Sequence, residues 1–215
     1  MTQPLRIAID GPAGSGKSTL ARGLAGRLHL PYVNTGLMYR ALTRRALAEG
    51  ADLEDADALV RLARTLRVDL DPTLDPPELR IDGEAPGAEL STPRVEGSVS
   101  LVSSHPAVRA VLVERQRALG EDGVVMEGRD IGRVVLDREA TIKIYLDAHA
   151  EERADRRTLE RGASAEALAR RDELDATTNP FEPAPDAIRL DTTGLTAEET
   201  LERALALVRE REDAS

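Results

Sequence analysis

The stretch RIAIDGPAGSGKST, residues 6–19, decides the fold of this chain. The apolar run at 5–9 predicts a buried strand, and the spacing of leucines over 18–28 predicts a helix. Between them the residues fit the pattern G-x-x-x-x-G-K-[ST], and they do so in the strand-to-helix context that this motif requires. The sequence therefore predicts a loop that binds phosphate.

The chemistry of such a loop assigns roles to particular side chains. Glycines let successive backbone N–H groups point at phosphate oxygens, and the helix that follows adds the positive end of its dipole. Lys17 is expected to bridge the β- and γ-phosphates of a nucleoside triphosphate, while the Ser18 hydroxyl reaches a magnesium ion. Glu127, after the apolar run VVM, is the acidic residue expected to orient that ion. The predicted ATP-binding residues are Gly11, Pro12, Ala13, Gly14, Ser15, Gly16, Lys17, Ser18 and Thr19.

Composition excludes several classes of function. With 215 residues the chain is long enough for one α/β domain with small inserts. It has no cysteine, which excludes disulfides, thiolate zinc sites and a cysteine nucleophile. A net charge of −10 and 2% aromatic residues argue against nucleic-acid binding. No apolar run approaches the about 18 residues of a membrane span, and no secretory signal is visible, so we expect a cytoplasmic protein without membrane partners.

Strands alternate with helices along most of the chain, which predicts a parallel sheet covered on both faces. Further strands are expected at 31–36, 124–126, 141–147 and 187–194, and further helices at 37–49, 52–66, 106–119, 149–161, 164–176 and from 196. Asp52 is the expected cap of the helix over 52–66. Prolines crowd 71–93 between the short runs RVDL and ELRIDG, which predicts a small β-rich insert separate from the main sheet.

Two arginines suggest a second phosphate site. NTGLMYR (34–40) and EGRDIG (127–132) follow predicted strands and place Arg40 and Arg129 at the carboxyl edge of the sheet, where ligands of such folds bind. Phosphoryl transfer needs two anions brought into line with their charge neutralised, and arginine grips phosphate with two parallel hydrogen bonds. No N-K-x-D motif of a switch GTPase is present, and DTTG (191–194) is interpreted as a strand-to-loop turn. A small-molecule kinase is the better prediction.

The chain resembles the bacterial cytidylate (CMP) kinases almost from end to end. The resemblance rests on IDGPAGSGKST, NTGLMYR, SLVSSHPAVRAVLVERQRAL, EGRDIGRVV, IKIYLDA and ARRDELD. It implies transfer of the γ-phosphoryl group of ATP to CMP or dCMP with Mg²⁺, by a monomer. The implied fold is an α/β three-layer P-loop kinase sandwich with a central parallel five-stranded sheet. Its implied parts are a core (1–66, 101–148 and 181–215), a nucleoside-monophosphate-binding insert (67–100) and a helical lid (149–180).

The same resemblance implies roles for individual residues. The catalytic residues would be Lys17, Arg129, Arg153, Arg157 and Arg171, and the CMP-binding residues would be Thr35, Tyr39, Arg40, Ser100, Arg109, Arg129, Asp130 and Asp175. Within that set, Arg40 and Arg129 hold the acceptor phosphate, and Ser100 and Arg109 read the cytosine edge. Thr35 and Asp130 help to recognise the nucleoside. The lid pair Arg171 and Asp175 reaches the sugar and the transferring phosphate, and Arg153 and Arg157 contact ATP.

Two positions depart from the family pattern. Thr178 stands where many members carry an arginine that clamps the CMP phosphate, and Arg133 replaces a threonine after GRDIG. Our hypothesis is that Arg133 supplies the missing charge. By contrast, the spacing of Glu152 and Arg156 predicts an ordinary helical ion pair.

Two alternative functions stay open at this point. Another P-loop small-molecule kinase, of the adenylate or shikimate type, would share the phosphate loop. A nucleotide-binding regulatory module would bind without transferring phosphate, although two arginines placed for a second phosphate argue against it.

Overall fold

A seven-stranded sheet forms the centre of the fold in a computed structural model that describes residues 4–153, 156 and 182–213. The strands are β1 (Arg6–Asp10), β2 (Tyr32–Asn34), β3 (Val68–Asp71), β4 (Glu78–Ile81), β5 (Val124–Gly128), β6 (Ile142–Asp147) and β7 (Ile188–Asp191). Their order across the sheet is β3-β4-β2-β5-β1-β6-β7.

The five strands β2, β5, β1, β6 and β7 run parallel, as the sequence predicts. Ile9 lies opposite Glu127 on β5 and Ile144 on β6, so the carboxyl ends of three neighbouring strands reach one edge together. The loops that leave these ends carry the phosphate motif and the EGRDIG motif. The topology therefore brings the two motifs side by side.

The hairpin of β3 and β4 extends this sheet instead of standing apart from it. Its strands are antiparallel to each other, and β4 then pairs with β2 through Tyr32 and Glu78. The Tyr32 N–H donates to the Pro77 carbonyl at 2.8 Å. The prediction that these two strands lie outside the main sheet was wrong. The outer edge of β2 offers backbone groups that the hairpin satisfies.

Six helices of the described chain cover the two faces of the sheet: α1 (Lys17–Leu28), α2 (Thr35–Glu49), α3 (Ala56–Thr65), α4 (Pro93–Ser104), α5 (Pro106–Leu119) and α6 (Ala197–Asp213). On one face, side chains of α2 to α5 pack with β5 in a cluster that includes Leu42, Leu112 and Met126. On the other face, α1 and α6 pack against β1 and β6 in a second cluster that includes Ile9 and Leu205. None of these helices is long and apolar enough to span a bilayer.

The helix ends correct one expectation and confirm another. Asp55, not Asp52, caps α3: its carboxylate accepts the Ala58 N–H at 3.0 Å, whereas Asp52 accepts the N–H of Glu54 outside the helix. Helix α6 begins where the sequence predicts, and a capping box formed by Thr196 and Glu199 satisfies its first turn. Thr196 Oγ1 accepts from the Glu199 N–H at 3.2 Å, and Glu199 Oε2 accepts from the Thr196 N–H at 2.8 Å.

Helix α4 is an element that the sequence analysis did not predict. Thr92 is its N-cap, with Oγ1 accepting from the Val95 N–H at 3.4 Å, and Pro93 occupies the first turn. Its buried residues include Val95, Val99 and Val102, at helical spacing. The cap, the proline and this spacing were the available signal, obscured by the proline-rich segment before it. The helix matters because it packs against α2, which carries Arg40.

Candidate active site

The phosphate loop (residues 11–18) has a backbone that only glycine can adopt at two positions. Gly11 and Gly14 have φ angles of 150° and 76°. A Cβ on Gly11 would lie 2.3 Å from the Leu146 carbonyl oxygen, and one on Gly14 would lie 2.5 Å from that of Arg153. Both spaces are closed by backbone, so no flexible side chain can yield. The shape of this loop is therefore fixed by close backbone contacts.

The amino terminus of α1 is arranged to receive an anion. Its N-cap, Gly16, offers no side-chain hydrogen bond to the first turn, and Ser18 and Thr19 are exposed. The Ser15 side chain is buried, and its hydroxyl has no hydrogen-bond partner among the described residues. Lys17 Nζ donates to the Pro12 carbonyl at 2.6 Å, so the ammonium lies over its own loop. These donors fit a polyphosphate chain.

Glu127 is buried at the end of β5, where one of its oxygens accepts a hydrogen bond from the Tyr32 hydroxyl at 2.7 Å. Burial and this carboxylate together raise the pKa of Tyr32, so the phenol stays protonated as the donor. The described residues contain no group of three acidic or histidine ligands that could hold a metal alone.

Thr35 lies directly against the end of β5. It is the first residue of α2, it is buried, and its Oγ1 donates to the Glu127 carbonyl at 2.9 Å. The start of α2 is thereby joined to the strand that carries the EGRDIG turn. Arg129, the arginine of that turn, is partly buried.

Arg40 is buried on α2 and holds a carboxylate of α4. Its Nη1 and Nη2 atoms pair with the two oxygens of Glu96, the second at 3.0 Å, and Nη1 also donates to the Leu90 carbonyl at 3.1 Å. The side chain of Arg40 is 8% exposed and that of Glu96 is 24% exposed. Sequence reasoning identified this arginine but missed its partner, 56 residues away.

Arg109 of α5 pairs with Asp130, which follows β5 in the EGRDIG turn. Tyr39 lies near both: burial raises the pKa of its hydroxyl to about 12, and the Arg109 charge opposes that rise. Ser100 is buried on α4, one helix before Arg109. Three residues that the family resemblance assigns to CMP binding are thus brought together from α2, α5 and the turn after β5.

Asp10 connects the phosphate loop to the EGRDIG turn and was not among the predicted site residues. Its two carboxylate oxygens accept the N–H groups of Ile131 and Gly132 at 2.7 and 2.8 Å. Burial raises the pKa of Asp10 to about 6, the two backbone hydrogen bonds oppose that rise, and nearby Asp130 adds to it. An acid that ends an apolar strand was visible in the sequence, but its partners lie 121 and 122 residues later.

The outer wall of the phosphate loop is formed by arginines and by the turn after β7. Arg153 Nη1 donates to the Ala13 carbonyl at 3.0 Å, which places one predicted ATP contact against the loop. Arg156 pairs with Glu152 as predicted, and it also donates to the Thr192 hydroxyl and carbonyl at 3.0 and 2.9 Å. Thr192 Oγ1 in turn lies 3.4 Å from the Ser15 carbonyl. DTTG forms the predicted turn, but its contact with the loop was missed.

The remaining positions singled out by the sequence are one described residue and four residues that the structure does not describe. Arg157, Arg171, Asp175 and Thr178 lie outside the described residues. Arg133 lies at the surface with its side chain 49% exposed, paired with Glu182. The expectation that it replaces a missing phosphate clamp was wrong, because its guanidinium is directed to an exposed carboxylate.

The arrangement places two candidate anion sites at one edge of the sheet. The first is the phosphate loop with the amino terminus of α1, and the second is the group of arginines on α2, α5 and the turn after β5. Asp10 directly precedes the phosphate loop, and its carboxylate accepts backbone N–H groups of the turn after β5. Two phosphate groups held there would be neighbours, which is the geometry that phosphoryl transfer requires.

Comparisons with known proteins agree with this chemistry. The sequence model of the cytidylate kinase family matches residues 7–210. A cytidylate kinase of Geobacillus kaustophilus is 47% identical, covering 98% of this chain and 99% of that protein. One of Mycobacterium avium is 41% identical over the whole of both chains.

Solved structures agree in fold. A gluconokinase of Sinorhizobium meliloti superposes with a TM-score of 0.53 at 17% identity, covering 100% of this chain and 97% of that one. The protein TT1252 of Thermus thermophilus gives 0.51 at 22% identity, covering 97% and 98%.

Proposed function

Because the chain belongs to the cytidylate kinase family, we propose that it transfers the γ-phosphoryl group of ATP to CMP and releases ADP and CDP. The structural observation that carries the proposal is Asp10. Its backbone enters the phosphate loop, and its carboxylate binds the turn that holds Arg129 and Asp130. A donor site and an acceptor site are therefore joined through one side chain.

On the donor side, the protein supplies positive charge and fixed N–H groups. The phosphate loop and the amino terminus of α1 would bind the ATP phosphates, and Lys17 would leave the Pro12 carbonyl for the β- and γ-phosphates. Its charge stabilises the negative charge that develops on the transferring group. We propose Arg153, already against Ala13, as a further donor-side contact.

On the acceptor side, Arg40 and Arg129 would hold the phosphate of CMP, while Arg109, Asp130, Ser100, Thr35 and Tyr39 would contact the nucleoside. An oxygen of the CMP phosphate forms the new bond to the γ-phosphorus, and the bond from that phosphorus to the oxygen of ADP breaks. Phosphoryl transfer requires little covalent chemistry from the protein. These residues therefore act by positioning the phosphate groups and neutralising their charge. A deoxyribose acceptor, dCMP, would use the same contacts.

Ser18 and Glu127 are the residues that would hold Mg²⁺, mostly through water. The ion, when bound, neutralises phosphate charge. The Tyr32 hydroxyl fixes one oxygen of Glu127 by a 2.7 Å hydrogen bond, which orients that carboxylate.

The division into a core, an insert at 67–100 and a lid at 149–180 also remains a proposal. So do the roles of Arg157, Arg171 and Asp175. The monomeric state and the cytoplasmic location remain predictions.

An acceptor screen tests the proposed function. We expect rapid ADP release from ATP and Mg²⁺ with CMP and dCMP, slow release with UMP and AMP, and none with shikimate. ADP release would be followed by a coupled assay and CDP by chromatography. Rapid turnover with AMP or shikimate would support the other kinase class, and ATP binding without turnover on any acceptor would support a regulatory module.

A further inference from the structure

We propose that Glu96 is an internal competitor for the acceptor phosphate: it occupies Arg40 when no acceptor is bound and must leave when CMP binds. The proposal rests on the proposed function, in which Arg40 holds that phosphate. It adds a residue that lowers the affinity of the acceptor site for the phosphate of CMP.

Glu96 already occupies the edge of the Arg40 guanidinium that a phosphate would use. Both terminal nitrogens of the guanidinium face the two oxygens of Glu96, which is the paired geometry that arginine also uses for phosphate. With its side chain only 8% exposed, Arg40 has little surface left for a ligand. A phosphate that is to grip this edge of the guanidinium must therefore displace the carboxylate.

The charge of Glu96 also opposes the binding of a phosphate. While the pair is intact, the negative Glu96 cancels the positive Arg40, and a phosphate arriving beside it meets a like charge. The pair is partly buried, so solvent screens this repulsion less than it would at the surface. Displacing Glu96 removes the repulsion and exposes the arginine charge at the same time.

The structure also allows Glu96 to leave at low cost. Its side chain is 24% exposed, so it has a path to water. It lies in the first turn of α4, where a carboxylate is stabilised by the helix dipole even without the arginine. Next to it, nothing lies within 4 Å of a Cβ built on Gly97. Arg40 meanwhile keeps its bond to the Leu90 carbonyl, which holds the guanidinium in place.

The consequence is a lower affinity for the phosphorylated acceptor, with no effect on the unphosphorylated nucleoside. Cytidine has no group that can replace the carboxylate, so the Glu96–Arg40 pair stays closed against it. CMP replaces one anion by another, and the cost of opening the pair lowers its affinity.

Binding of CMP and of cytidine to the ATP-free protein, measured by isothermal titration calorimetry, tests the proposal. Glu96→Gln keeps the shape and removes the charge, and it should tighten CMP binding by about tenfold, the scale of one charge-assisted pair. Glu96→Ala should tighten it similarly. Cytidine affinity should stay unchanged in both. Glu114→Gln, at an exposed position of α5, is the control for the change in net charge and should leave both affinities unchanged.

The outcomes separate this proposal from the proposed function. Unchanged or weaker CMP binding in both Glu96 variants would overturn it, and weaker binding would mean that Glu96 orients Arg40. Equal tightening for cytidine would also overturn it, because the effect would not involve phosphate. Arg40→Met tests the underlying role: if this variant binds CMP like the parent protein, the assignment of Arg40 to the acceptor phosphate fails instead. Thermal unfolding of each variant checks that it is folded.

Discussion

On the donor side, the phosphate loop takes its shape from backbone packed against backbone, whereas on the acceptor side the arginines are held by carboxylates from distant parts of the chain. Gly11 and Gly14 meet carbonyl oxygens that leave no room for a side chain. Arg40 and Arg109 instead pair with Glu96 and Asp130. Lys17 donates to a carbonyl of its own loop, whereas Arg40 and Arg109 are each neutralised by a carboxylate.

The largest expected effect is on the donor side, at Lys17. Lys17→Ala removes a positive charge that meets the transferring group, so kcat should fall by about 100-fold or more, equivalent to about 3 kcal/mol of lost transition-state stabilisation. Steady-state kinetics with CMP measure it. Because the acceptor side is built from other residues, calorimetric CMP binding should be unchanged. A variant with near-normal turnover would contradict the assignment of 11–18 as the phosphate site.

Asp10, where the two sides meet, should reveal itself in the dependence of stability on pH. Its pKa is raised from 3.8 to about 6 in the folded protein. The folded state therefore takes up a proton at a higher pH than the unfolded state, and this group adds stability as the pH falls from 7 towards 4. The free energy of unfolding of the wild type should gain up to about 3 kcal/mol relative to Asp10→Asn over that range.

Urea denaturation of both proteins at several pH values measures this difference, in which the titration of groups that do not interact with Asp10 cancels. The gain is complete below 3.8 and is lost as the pH rises through about 6. A difference that is independent of pH would show that the two backbone hydrogen bonds balance the burial of the carboxylate, and a wild type that loses stability relative to Asp10→Asn as the pH falls would show that they outweigh it.

The acceptor side should respond at Arg40 with a smaller loss. Arg40→Met removes a bidentate grip on the CMP phosphate, and CMP binding should weaken by about thirtyfold, or about 2 kcal/mol, with the KM for ATP unchanged. The single variant also removes the arginine that pairs with the partly buried Glu96, which costs stability. Arg40→Met/Glu96→Gln should recover that stability in thermal unfolding but not the affinity. Recovery of both would assign Arg40 a purely structural role.

The same contrast explains what the sequence could predict. The donor loop is a contiguous motif between a strand and a helix, so nine adjacent residues identified it. Arg40 was visible in the sequence after a predicted strand, but the carboxylate that pairs with it was not, because Glu96 is 56 residues away and lies on a helix hidden in a proline-rich segment. The register of the β3–β4 hairpin against β2 depends on a backbone bond between Tyr32 and Pro77, which no local pattern encodes.

The smallest expected effect concerns the base. Arg109 only donates hydrogen bonds, so it suits the acceptor nitrogen N3 of cytosine and not the N–H that uracil carries there. Its pair with Asp130, a group that only accepts when ionised, holds the two polarities side by side near Tyr39. Arg109→Met should reduce the ratio of kcat/KM for CMP over UMP by about tenfold, because one directed contact is lost. The KM for ATP should not change, since the donor side shares none of these residues. Parallel kinetics with CMP, UMP and varied ATP measure all three quantities. If CMP and UMP lose activity by the same factor, Arg109 serves Asp130 and the shape of the acceptor side, and base selection lies with other groups there.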